Sequence, residues 1–330
     1  MKKTTIFEIS KILNLSVSTV SRALKNHQDI APHTKAKVLE TAKMLDYEPN
    51  LLAVSLRKDN SREIAIIAPM LSGFFYESFI SAVEAESKKL GYSLITLLSG
   101  DDPEVEIQNI KTCRQRRVAC IMLCVTSKST DQTIFHSLNS LDIPIIFFDK
   151  VPGYLNSVSV CADDRAAAAM AANALLKKGM YNVFSIFGDL NFSITKNRLK
   201  AYLKTFSDSA EKIHLTIVHA TTFSEAENLV INAFKNAVRP EAIFCMSDEI
   251  LIGVMKAIQI LKVVVPADVS IIAISNGFFP KLYFPEITYV ETSGYKLGKL
   301  AMHNFVSLLK KETSINGAIL EPVFVPGGSL

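Results

Sequence analysis

Three helical periods open the chain. Ile6, Ile9 and Leu13 recur on one helix face, with Ile12 alongside. Thr5-x-x-Glu8 in front of them reads as a capping box, in which two side chains satisfy N–H groups the first turn leaves unpaired. Asn14 suits the left-handed residue of a tight turn, and Ser16 suits the cap of a second helix. That helix is expected to bury Val20 and Leu24 and to leave Val17, Ser18, Ser21 and Arg22 outward. Pro32 opens a third helix with Val38, Leu39, Ala42 and Leu45 on its inner face. Helix, tight turn, helix and bracing helix is the helix-turn-helix plan, although any small three-helix bundle with a solvated face fits the same pattern.

From Glu63 the period changes. Apolar runs at 64–68, 93–98, 119–125 and 144–148 read as buried strands, as do 183–187, 214–218, 242–245 and 269–274. Helical patterns at 79–90, 104–114, 165–178, 195–205, 224–236 and 249–261 separate most of them, and Gly91 and Gly179 stop two of these helices. Repeated strand–helix units demand parallel sheets covered on both faces, here two doubly wound subdomains meeting near Cys161.

Charge sharpens this division. The 330 residues carry a net charge of only +4, but residues 1–62 hold eleven Lys or Arg against six Asp or Glu. A basic module on a near-neutral body is the footprint of phosphate binding at one end. Hydrophobic content of 49% supports real cores, and the five cysteines (113, 120, 124, 161 and 245) show no zinc spacing and lie in or beside apolar runs. No metal and no cofactor are expected. The N-terminus lacks the apolar core of a signal peptide, and no run of about 18 apolar residues offers a span, so a cytoplasmic protein with no membrane partner is expected.

Three motifs in fixed order carry a resemblance. Val17-Ser-Thr19-Val-Ser21-Arg22, Pro32-x-Thr34 and Tyr47-x-Pro49-Asn50-x-x-Ala53-x-x-Leu56 resemble the lactose/galactose repressor (LacI/GalR) family. Ser247-Asp248-x-x-x-x-Gly253 with Val265-Pro266-x-Asp268-Val-Ser270 extends the likeness over nearly the whole chain. The resemblance implies an N-terminal all-α helix-turn-helix domain over 1–58 and an α/β periplasmic-binding-protein-like body over 59–330. The body would be two doubly wound parallel-sheet subdomains, one about 62–161 and 290–312, the other about 162–289 and 313–330. Chain crossings would fall near 161–163, 288–291 and 312–315.

The functional residues follow from the same resemblance. Double-stranded operator DNA would be met by Thr5, Ser16, Val17, Ser18, Thr19, Ser21, Arg22, Asn26 and Thr34, and by Asn50, Ala53 and Leu56 of a hinge helix at about 50–57. Two hinge helices of a homodimer would lie in the minor groove, with Leu56 wedged between central base pairs. A small effector, by default a sugar or sugar derivative, would sit between the lobes. Phe75 would offer an aromatic face, Arg198 a fork of donors, and Asp163, Asp248 and Ser275 acceptors. Several positions depart from the family: Ala273-Ile274-Ser275-Asn276 replaces Gly-aromatic-Asp, Leu71-Ser-Gly-Phe74-Phe75 replaces Asn-Pro before the aromatic pair, and Met180 and Ala201 replace His and Gly. They imply a retuned pocket.

The expected function is a transcriptional regulator, a repressor by default, whose operator affinity is set by a metabolite. A solute-binding protein on the same body would leave the basic module idle. A DNA-tethered enzyme is the other alternative, but the sequence shows no P-loop, no GxSxG elbow and no metal-ligand cluster, and its six histidines are scattered. No enzyme is expected.

Overall fold

A computed structural model describes residues 4–47, 61–71, 74–126, 143–151, 158–310, 312 and 317–330. The chain separates into two compact units, Met1–Ser61 and Arg62–Leu330.

The first unit is built from α1 (Ile6–Leu13), α2 (Val17–Leu24) and α3 (Pro32–Met44). Thr5 and Glu8 form the reciprocal capping box, and Asn14 turns the chain at φ 51°. Ser16 caps α2 by accepting from the Thr19 N–H at 3.1 Å. Ile9, Val20, Ala23, Val38 and Ala42 make the core, with Ile6, Leu13, Leu24 and Leu45 half-buried around it. Two expectations need correction. Leu39 is 52% exposed and Ile12 is 61% exposed, because each lies one residue, or 100° of helix rotation, beyond the stripe facing the core. In α2 the small Ala23 sits deeper than Leu24, which lets the helices approach closely.

The second unit alternates strands and helices. It begins β1 (Glu63–Ala68), α4 (Phe74–Lys89), β2 (Ser93–Leu98), α5 (Pro103–Arg116), β3 (Cys120–Leu123), β4 (Ile145–Phe148) and β5 (Ser159–Ala162). It continues α6 (Asp164–Lys177), β6 (Asn182–Phe187), α7 (Ser193–Ser207), β7 (His214–His219), α8 (Phe223–Ala233), β8 (Ala242–Cys245) and α9 (Asp248–Leu261). Then come β9 (Ser270–Ser275), β10 (Thr288–Glu291), α10 (Gly294–Leu309), β11 (Ala318–Leu320) and β12 (Val323–Val325). These strands form two six-stranded sheets, ordered β11-β5-β4-β3-β1-β2 and β12-β10-β9-β8-β6-β7. All neighbours run parallel except β10 and β12. The central strands are buried on both faces, as parallel sheets covered by helices require.

The later crossings differ from the expected ones. β10 stays in the second sheet through Glu291, which pairs with Ser275. β11 belongs to the first sheet, where Ala318 pairs with Val160 and Leu320 with Ala162. The last switch therefore follows Leu320 instead of falling at 312–315. Pairing decides it: the Leu320 carbonyl accepts from the Asp163 N–H at 3.0 Å, so β11 completes the edge of the first sheet beside the first crossing.

Close helix packing holds each lobe. A Cβ added at Gly298 of α10 would lie 2.6 Å from the Phe79 carbonyl oxygen of α4. One added at Gly253 of α9 would lie 2.1 Å from the Phe223 carbonyl oxygen at the start of α8. Both glycines are present because backbone meets backbone there.

Candidate functional site

The outer face of α2 is small and polar. Ser18 and Arg22 are exposed, while Val17, Thr19 and Ser21 are half-buried. The Ser16 hydroxyl lies 2.8 Å from those of both Ser18 and Thr19, so three hydroxyls share one cluster at the helix start. Arg22 Nη1 donates to Asp29 at 2.6 Å, and Asp29 also meets His27 Nδ1 at 2.6 Å. The sequence reading did not find this acidic partner. It lies seven residues beyond Arg22, outside the helix, where periodicity carries no signal.

Other expected residues of this unit have visible structural duties. Thr5 caps α1, and Asn26 supplies a left-handed turn at φ 54°. Thr34 lies near the start of α3, its hydroxyl 3.2 Å from His33 Nε2. Asn50, Ala53 and Leu56, with the expected hinge helix, lie outside the described residues.

In the body, a cavity of about 210 Å³ opens between the C-terminal ends of the two sheets, where open α/β folds bind ligands. Tyr76, Asp149 and Lys150 line it from the first lobe; Asp189, Phe192, Thr195, Thr221, Ser247 and Glu249 line it from the second. Tyr76 donates its hydroxyl to Asp149 at 2.9 Å. Burial, with the nearby Asp149 and Cys124, pushes the Tyr76 phenol well above its ordinary range, so it remains a donor. The Lys150 ammonium sits 3.7 Å over the Phe192 ring, reaching from one lobe to the other.

None of the five residues expected at the effector is among those lining this cavity. Arg198, 6% exposed, donates through Nε to Asp164 at 2.8 Å and through Nη1 to the Met246 carbonyl at 2.7 Å. Asp248 accepts from the Ser275 hydroxyl and from the Asn276 N–H, the latter at 2.9 Å. Burial raises the Asp248 carboxyl above its usual range, and those hydrogen bonds and Arg198 oppose the rise. Asp163 caps α6 by accepting from Ala166 N–H at 2.9 Å. The Phe75 ring meets that of Tyr76 edge-on, with centroids 5.6 Å apart. The structure thus pairs Ser275 with Asp248, sets Arg198 against the Met246 carbonyl and Asp164, the residue after Asp163, and puts Phe75 against Tyr76.

The wall residues themselves were missed. Asp149 and Lys150 follow the apolar run of β4 directly, and Asp189 follows β6 by two residues. Reading the first polar residue after each buried strand would have found them.

Asn276 ties the second lobe to the first. Its Oδ1 accepts from Gly294 N–H at 2.8 Å and from the Ser78 hydroxyl at 3.2 Å, and its Nδ2 donates to the Phe74 carbonyl at 3.1 Å. Phe74 stacks on Phe278 with centroids 5.5 Å apart and meets Phe279 edge-on at 4.2 Å. Four of the thiols are buried and Cys161 is half-buried: burial pushes Cys113 and Cys161 up to about 12 and Cys120, Cys124 and Cys245 further up. Among the described residues no His, Cys, Asp and Glu group could hold a metal, and no helix is long and apolar enough to cross a membrane.

Comparison with known proteins agrees with both halves. Residues 5–50 match the model of bacterial regulatory proteins of the lacI family, and residues 172–330 match that of a periplasmic binding protein-like domain. The HTH-type transcriptional regulator DegA of Bacillus subtilis is 28% identical over 290 residues, covering 87% of this chain and 86% of DegA. RegA of Clostridium saccharobutylicum, also an HTH-type transcriptional regulator, is 27% identical over 324 residues, covering 96% of each. Among solved structures, the Lac repressor dimer bound to operator and the anti-inducer ONPF superposes with a TM-score of 0.87 at 17% identity, covering 99% of both chains. A periplasmic binding protein/LacI transcriptional regulator from Alkaliphilus metalliredigens, complexed with D-xylulofuranose, gives 0.69 at 24% identity over 82% of this chain and 99% of that one. The chain thus joins a head that matches the lacI family of bacterial regulatory proteins to a body that matches a periplasmic binding protein-like domain, and along its length it is similar to HTH-type transcriptional regulators.

Proposed function

We propose that this protein is a homodimeric repressor that binds operator DNA through α2 and loses or gains that affinity when a polyhydroxylated metabolite enters the interlobe cavity. The observation that carries the reading is the union in one chain of two chemistries. One is a helix-turn-helix face bearing Ser18 and Arg22; the other is a cavity at the strand ends lined by carboxylates, hydroxyls and aromatic rings.

Each recognition helix spans only a half-site, so two copies on a near-palindromic site are required. The exposed Phe278, Leu282 and Phe284, the last fully solvent-facing in the single chain, offer apolar surface for the second copy. We assign DNA contact to Val17, Ser18, Thr19, Ser21 and Arg22 and, by resemblance, to Asn50, Ala53 and Leu56. Residues to about 58 form the DNA-binding part, and the rest the effector part. In the cavity we assign the direct contacts to Tyr76, Asp149, Phe192 and Ser247. Arg198, Asp248, Ser275, Asp163 and Phe75 hold those contacts in place. DNA binding places the protein in the cytoplasm.

Selection of duplexes from a random pool by the full chain tests this reading. The expected product is a near-palindrome with half-sites about one helical turn apart. Recovery of no common sequence would overturn it.

A further inference from the structure

We propose that the effector carries an anionic group, a phosphate or a carboxylate, and that this group binds at the start of α7 opposite Lys150. The inference rests on the cavity being the effector site and adds the ligand's charge.

Helix α7 is fifteen residues long and starts at Ser193 with no side chain capping it, because Phe192 occupies the cap position. Its first-turn N–H groups carry the positive end of the helix dipole, which favours an anion. Phe192, Ile194 and Thr195 of this helix start all line the cavity. Thr195 supplies independent support. Its residue is 1% exposed and its hydroxyl has no hydrogen-bond partner among the described residues. A buried hydroxyl left unpaired is costly, and an acceptor-rich ligand would satisfy it. A Cβ at position 188 would lie 3.3 Å from that hydroxyl oxygen, so Gly188 keeps the space beside it open.

Lys150 completes the arrangement from the other lobe. Its side chain is 13% exposed, and its ammonium faces Phe192 at 3.7 Å and makes a long ion pair to Asp101 at 3.5 Å. An anion seated between Lys150 and the α7 start would be held by both lobes. Binding such a ligand would therefore favour the closed pair of lobes over an open one.

Asp149, Asp189 and Glu249 also line the cavity and would repel an anion placed beside them. Each already accepts a hydrogen bond, from Tyr76, the Asn191 N–H and the Phe223 N–H respectively. Their remaining lone pairs suit ligand hydroxyls. The ligand is accordingly bipolar, with hydroxyls toward the carboxylates and its charge toward α7.

Thermal shift and calorimetric titration of the full chain with inorganic phosphate, glucose 6-phosphate, gluconate and glucose test this, with chloride matching the ionic strength. The expected result is a raised Tm with phosphate or an anionic sugar, and binding at least about tenfold tighter than glucose. Glucose 6-phosphate ahead of gluconate marks a phosphate site, and the reverse marks a carboxylate site. Lys150→Met and Thr195→Val, checked for folding by circular dichroism, should remove most of the preference for the anion. Stabilisation by glucose alone, or a preference unchanged in both variants, would overturn the anion site and leave the effector cavity standing. No stabilisation by any of the four would remove both.

Discussion

Arg22 on the exposed face of α2 is paired with Asp29 at 2.6 Å, within a trio completed by His27. The guanidinium that α2 would carry into the major groove is therefore oriented before DNA arrives. Although desolvation opposes it, hydrogen bonding from His27 and the charge of Arg22 hold the Asp29 carboxyl below its ordinary range. The Asp29 carboxylate thus stays ionised at neutral pH.

Asp29→Ala should raise affinity for random duplex and steepen its salt dependence by about one charge, because a carboxylate facing phosphates is removed and Arg22 is released. Preference for the selected site over random DNA should shrink, since an unrestrained guanidinium reads bases less selectively. Anisotropy titrations across a salt series would show both. An unchanged slope would mean that the pair stays clear of the duplex.

Arg22→Ala should cost about 1–3 kcal/mol on the selected site and relax the choice at one base pair, the expected loss for a bidentate guanine contact. Competition among single-base operator variants measures it. Uniform weakening across all variants would reassign Arg22 to a phosphate.

Arg198 and Asp164 form the best-buried ion pair among the described residues, with side chains 7% and 16% exposed. Burial raises the Asp164 carboxyl above its usual value, Arg198 pulls it down, and Asp149 pushes it up. Removing Arg198 should raise it further. A carboxyl raised on folding binds its proton more tightly in the folded state, so the penalty grows as pH climbs from the unfolded value of about 3.9 through the folded one. Arg198→Ala should therefore lose about 3–5 kcal/mol at neutral pH and less under acid, with Asp164→Asn partly restoring the loss in the double variant. Thermal unfolding at two pH values would reveal an equal deficit at both if the pair were not ionic.

Gly253→Ala should be destabilising out of proportion to one methyl group. The added Cβ would meet the Phe223 carbonyl, and neither backbone can yield without parting α8 from α9; overpacking of this kind costs about 1–3 kcal/mol. A Tm equal to that of wild type would contradict the close approach.

The fold was legible where pattern and packing agree. The buried strands 64–68 and 183–187 announce themselves as apolar runs, and the capping box at Thr5 and Glu8 is written in four residues. The edge strand Ala318–Leu320 joins the first sheet and not the expected second, because three residues, two half-buried and Ile319 exposed, carry no signal of which sheet they join. The motif residues Arg198 and Asp248 are not among those lining the cavity. Lys150, Phe192 and Thr195 matter through a meeting of two lobes and through an empty hydrogen bond. Neither is a property of local sequence.

Control of operator binding by a metabolite requires coupling between the cavity and the DNA-reading face. The direct measurement is anisotropy of a labelled selected palindrome titrated with the full chain, at fixed salt, with and without a ligand shown by calorimetry to bind the body. The predicted result is a dimer-stoichiometric complex on the palindrome, far tighter than on scrambled duplex, whose affinity shifts when the cavity is filled. Equal affinity for palindrome and scrambled DNA, or a saturating ligand that moves the operator curve not at all, would contradict it.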